Sequence, residues 1–91
     1  MQVYLTAIVK VKPEFYEELK AFLLALPEKS VKEEACIRYE VYQDSQDSNT
    51  FIFQELWKSK EGLDLHNQQS YSQEFFASFD KLEREPILYI S

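Results

Sequence analysis

Over residues 2–11 the chain places apolar side chains at every second position, and from Glu14 onward it places them at helical intervals instead. This change of period constrains the fold more than any other feature, because a period of two fits a strand and one near 3.6 fits a helix. In the first run Val3, Leu5, Ala7, Val9 and Val11 share one face, and Tyr4, Thr6, Ile8 and Lys10 share the other. Pro13 cannot donate to a strand ladder but suits the first turn of a helix. Phe15, Leu19, Phe22, Leu23 and Leu26 then form a helical apolar stripe, with Glu14, Glu17 and Glu18 at its positive end. Pro27 is expected to break or kink this helix, and EKSVKEEA to add another helical turn or two.

Alternation returns over Cys36 to Gln43, with Ile37, Tyr39 and Val41 facing one way and Arg38, Glu40 and Tyr42 the other. DSQDSN at 44–49 is a cluster of turn formers, and residues 50–58 alternate again, so the two runs read as a hairpin. On the return strand Phe51, Phe53, Glu55 and Trp57 share a face. Ser59 is placed to cap a helix carrying Leu63, Leu65 and His66, and Ser70 with Gln73 fits a capping box opening a stretch with Phe75, Phe76, Phe79 and Leu82. Pro86 precedes a short last strand over 87–90. The order strand, helix, strand, strand, helix, strand predicts an α+β, ferredoxin-like fold with a four-stranded antiparallel sheet and both helices on one face. The strands are apolar on both sides, so the uncovered face predicts a homodimer built by a second copy of the sheet.

Composition narrows the function. Sixteen acidic against ten basic residues give a net charge of −6, with no basic run, which argues against nucleic acid or an anionic membrane as partner. The amino terminus is too short and too alternating for a signal peptide, and no stretch approaches the ~20 apolar residues of a membrane span. Cys36 is the only cysteine, which excludes an internal disulfide and, with His66 the only histidine, a closed zinc site. A reducing cytoplasm is the expected compartment. Seven Phe, six Tyr and one Trp are a heavy aromatic content that either fills a core or walls a cavity.

Glu55-Leu56-Trp57-Lys58-Ser59 followed by His66, together with Val11-Lys12-Pro13, Glu34-Ala35-Cys36 and Tyr39, resembles the antibiotic biosynthesis monooxygenase-like family, whose members are small dimeric α+β barrels. The likeness covers about residues 3–90 and reads residues 1–91 as one domain of this kind. Glu14 and Ala35 stand where the family often has Gly. The resemblance implies a monooxygenase without metal, haem or flavin: an electron-rich phenolic substrate loses a proton and reduces O2 directly, in an apolar pocket holding a base. Haem degradation, a second activity among relatives, uses a His on the last helix and an Asn on the first strand; SYSQEFFASFDKL and the first strand have neither.

The candidate catalytic residues are His66, the lone imidazole, and Glu55, a carboxylate flanked by aromatics. His66 serves either as base or donor, or as a helix histidine with a structural bond. Glu55, if buried, either pairs with Arg38 or a Lys across the sheet or carries a raised pKa suited to a base. Candidate substrate-binding residues are Trp57, Phe53, Tyr39, Phe75 and Phe76, each of which equally suits a core. Phe53 stands where the anthrone-oxidising branch has an amide donor, which argues against anthrone-type substrates. Tyr71 is placed to swing over a pocket mouth, and Cys36 reads as a small buried residue. The expected partners are a small aromatic substrate such as a quinol, O2 and a second subunit. The alternatives are a non-catalytic dimeric ligand-binding or stress-associated protein, and an isomerase of a small hydroxyketone.

Overall fold

The computed structural model describes residues 1–91. Alternating residues produce four strands: β1 (Val3–Lys10), β2 (Cys36–Gln43), β3 (Thr50–Trp57) and β4 (Ile87–Ile90). The helices are α1 (Tyr16–Ser30), α2 (Lys60–Asn67) and α3 (Ser70–Phe76), with single 3-10 turns at Pro13–Phe15 and Phe79–Lys81. The sheet is wholly antiparallel in the order β2-β3-β1-β4, the ferredoxin-like arrangement. No helix is long and apolar enough to cross a membrane.

Pairing of β1 with β3 sets Leu5 against Glu55, Ala7 against Phe53 and Val9 against Phe51, so one face gathers all six inward side chains. Helices cover that face, and Leu19, Leu23 and Leu26 of α1 complete its core with Tyr39, Trp57, Leu63 and Leu82. The opposite face carries no helix. Tyr4, Tyr42 and Tyr89 stand exposed there, with Ile8, Ile52 and Leu56 half-buried among them.

The local signals act at most of the expected places. Ser59 Oγ accepts from the Gly62 amide at 3.1 Å and caps α2. Asp47 ties the hairpin, its carboxylate accepting from the Asn49 amide and the Thr50 hydroxyl. Three local expectations need correction. Helix α1 runs through Pro27: only one intrahelical bond is lost there, and the Val31 amide still donates to the Pro27 carbonyl at 3.0 Å. Ser70 is not a cap; Gln69 takes that position without a side-chain bond, and α3 stops at Phe76 so that Leu82 lies extended beside Val11. The bulge between Cys36 and Arg38 puts Cys36, rather than Ile37, opposite Trp57, and Ile37 stands exposed instead of sharing the face of Tyr39.

Candidate functional site

The inner face of the sheet does not fill completely. Ala7 is the smallest residue of the inward β1 row, and α2 and α3 part at Gln68 and Gln69, leaving a cavity of about 160 Å³ between sheet and helices. Leu5, Ala7, Tyr39, Phe53 and Glu55 form its floor; Leu63, His66, Asn67, Ser72 and Phe75 roof it. Phe76, Leu88 and Ile90, all partly exposed, border it on the β4 side. Ten of its fourteen lining residues are hydrophobic, which is the character of a small-molecule site.

Six of the seven residues singled out from sequence line this space: His66, Glu55, Tyr39, Phe53, Phe75 and Phe76. Trp57 does not. It is fully buried behind the site, its ring centroid 4.5 Å from that of His66, and its Nε1–H donates to Glu55 Oε1 at 2.9 Å. Trp57 therefore holds one carboxylate oxygen from behind the cavity. Tyr71 does not swing over the mouth either, because its hydroxyl donates to Glu33.

Glu55 lies opposite Tyr39 on β2 and Leu5 on β1, with no cation among its partners. The expected ion pair with Arg38 is absent: Arg38 faces outward and binds Glu40 at 2.7 Å. Burial pushes the Glu55 carboxyl up to about 7; the Trp57 bond opposes the rise and the Glu33 charge adds to it. Its second oxygen makes no hydrogen bond, and the residue lines the cavity. A carboxyl that titrates near neutrality beside an apolar space is suited to remove a proton from a bound acid. The Tyr39 phenol, raised by burial and then by Glu55, stays protonated and cannot serve as that base.

His66 is held on both ring nitrogens. Nδ1 lies 2.8 Å from Glu33 Oε2, and Nε2 lies 3.4 Å from Ser72 Oγ. The imidazole is thus less free than Glu55 to act as first base. Among polar residues, sequence reading missed Ser72 and Asn67 on the cavity and Glu33 behind His66. Ser72 had a signal: it precedes Phe75 by three residues and so shares its helix face. Glu33 had none, being one of several acids in an irregular turn. Burial, reinforced by the Glu33 and Glu55 charges, pushes the Cys36 thiol up to about 11, which makes it a poor nucleophile. No group of three or more His, Cys, Asp or Glu is gathered as a metal site.

These elements define a small α+β domain with helices on one face of an antiparallel sheet and a carboxylate-bearing apolar cavity between them. Residues 2–78 match the antibiotic biosynthesis monooxygenase family, and the chain belongs to it. It is 37% identical over 78 residues to the uncharacterized protein sll1783 of Synechocystis, covering 86% of this chain and 53% of that one, so it spans about half the length of that relative. It is 32% identical over 85 residues to the "Putative monooxygenase YcnE" of Bacillus subtilis, covering 93% of this chain and 90% of that protein. Among solved structures, a conserved protein from Methanosarcina mazei superposes with a TM-score of 0.87 at 30% identity, over 100% of this chain and 91% of that one.

Proposed function

We propose that this chain is a cofactor-independent monooxygenase that oxidises a quinol or similar small polyphenol with O2, and that Glu55 is its base. The observation that carries the reading is the unpaired Glu55 oxygen on an apolar cavity, in a carboxyl pushed up to about 7. An apolar cavity of about 150 Å³ holds one benzene ring, so the space of about 160 Å³ suits a single six-membered ring lying against Phe53 and Phe75. A quinol bound there gives its hydroxyl proton to Glu55, and the electron-rich ring then transfers electrons to O2. The balance closes without another reductant: hydroquinone plus O2 gives hydroxybenzoquinone plus water.

Two supporting features surround the base. Trp57 holds one carboxylate oxygen, leaving the other aimed at the substrate, and the aromatic walls keep bulk water from the reacting ring. The test is O2 uptake by metal-stripped protein with a panel of reduced quinones. Turnover is expected to rise with pH through about 7 and to be lost in Glu55→Gln. Rates no higher than autoxidation, or unchanged in both Glu55→Gln and His66→Ala, would defeat the proposal in favour of a ligand-binding protein.

A homodimer belongs to the same proposal. The helix-free face, with Tyr4, Tyr42 and Tyr89 exposed and Ile8, Ile52 and Leu56 between them, is a large apolar surface for a free subunit. A second sheet would cover it while leaving the cavity, which opens on the other side, accessible.

A further inference from the structure

We propose that Ser72, His66 and Glu33 form a second reactive centre on the same cavity, which hydrolyses small carboxylic esters. The proposal does not depend on oxygenation, since Glu55 takes no part in it. Its basis is a continuous arrangement of three side chains brought together from the turn before β2, from α2 and from α3. Glu33 Oε2 lies 2.8 Å from His66 Nδ1, and His66 Nε2 lies 3.4 Å from Ser72 Oγ. Nothing in the sequence spacing marks this set, because Glu33 is 33 residues from His66.

The hydrogen-bond chemistry fixes the direction of the array. A carboxylate only accepts. Glu33 Oε2 already accepts from the Tyr71 hydroxyl, so the contact with Nδ1 requires the ring proton to sit on Nδ1. In the neutral ring Nε2 is then the nitrogen with the lone pair, and the Ser72 hydroxyl is placed to donate to it. That is the tautomer in which imidazole acts as base toward a serine, with the carboxylate orienting the ring. Trp57 and Tyr39 pack against the imidazole from adjacent directions, with ring centroids 4.5 and 5.5 Å away.

The cavity supplies what else is needed. Ser72 is buried yet lines it, as does His66, so a bound acyl group and the nucleophile share one apolar space. Asn67 also lines the cavity, and its side-chain amide has no protein partner, only its backbone carbonyl being used by Gln73. The Asn67 amide is the donor available to a developing oxyanion. In the reaction Ser72 Oγ attacks the ester carbonyl carbon while its proton passes to Nε2. The bond to the alkoxy oxygen breaks, and Nε2 returns the proton to the departing alcohol. Water then cleaves the acyl-serine by the same route, releasing the carboxylic acid and restoring Ser72, with no change in oxidation state. A cavity of about 160 Å³ limits the acyl group to short or single-ring acids.

The experiment combines p-nitrophenyl acetate hydrolysis with labelling by a small alkyl fluorophosphonate and peptide mapping of the wild-type protein. The label is expected on Ser72. Hydrolysis is expected to fall on the order of a hundredfold or more in Ser72→Ala, and to persist in Ser70→Ala, whose serine is exposed at the start of the same helix. As the positioning residue, Glu33 is tested through Glu33→Gln, expected to lower kcat with KM unchanged. A label elsewhere, or none on folded protein, overturns the proposal, as does Ser72→Ala hydrolysing like wild type. A change in Glu33→Gln confined to KM removes Glu33 from the centre.

Discussion

Replacing Glu55 by Gln tests the site through stability alone, with no substrate needed. The amide keeps an acceptor for Trp57 Nε1 and nearly the same shape, but it removes the charge. In the folded chain the Glu55 carboxyl is pushed from its ordinary 4.5 to about 7, chiefly by burial. Because folded Glu55 holds its proton more tightly than the unfolded chain does, ionisation works against folding, and stability falls as pH rises between those two values. A rise of that size corresponds to about 3 kcal/mol. Below pH 4.5 the carboxyl is neutral in both states and wild type should match Glu55→Gln. Above pH 7 the variant should be the more stable, by up to about 3 kcal/mol, which for a chain of this size is on the order of 10 to 20 °C in Tm. Urea melts at pH 4 and pH 8 measure the difference directly. A gap that is the same at both pH values, or a variant that is less stable at pH 8, would refute the buried, unpaired carboxylate.

Other perturbations probe the surroundings. In Trp57→Phe the Nε1 donor that lowers the Glu55 pKa is gone, so the midpoint of the pH–rate profile should move above about 7; an unmoved midpoint would separate Trp57 from the base. Gly62→Ala would bring a Cβ to 2.3 Å from Ala35 Cβ, so it should cost about 1–3 kcal/mol in a urea melt. Adding Ala35→Gly should restore most of that loss, and no rescue would place the strain elsewhere. Ile52→Glu puts a charge in the helix-free face, and light scattering at micromolar concentration should then show single subunits where the wild type shows pairs. A wild type of one-subunit mass would remove the covered-sheet argument.

The periods in the sequence reached the fold because each strand has to present one face to a helix-covered core: the rows Leu5–Ala7–Val9 and Phe51–Phe53–Glu55–Trp57 are readable as rows and are paired as rows. What the periods could not reveal was backbone irregularity. The continuation of α1 through Pro27 and the extra residue in β2 depend on how neighbouring turns are satisfied, which no local pattern encodes. At the site, His66, Glu55 and the aromatics were legible by type, but their roles were not. Trp57 and Phe53 look alike in a strand pattern; only the three-dimensional packing sends one behind the carboxylate and the other onto the cavity. Glu33 was invisible because it arrives from an irregular turn and is selected by distance rather than spacing.

The irregular residue in β2 sets the side from which the preceding turn leaves the sheet. By absorbing Ile37 on the outside, the strand lets Cys36 sit opposite Trp57 on the helix side, and the turn that precedes it delivers Glu33 to the imidazole. In a strand without that bulge Ile37 would stand opposite Trp57 and Cys36 one rung further on, so the turn carrying Glu33 would leave from the other face. The scaffold and the polar machinery are therefore set separately: the same ladder over Arg38 to Gln43 is compatible with a turn that reaches the histidine and with one that does not.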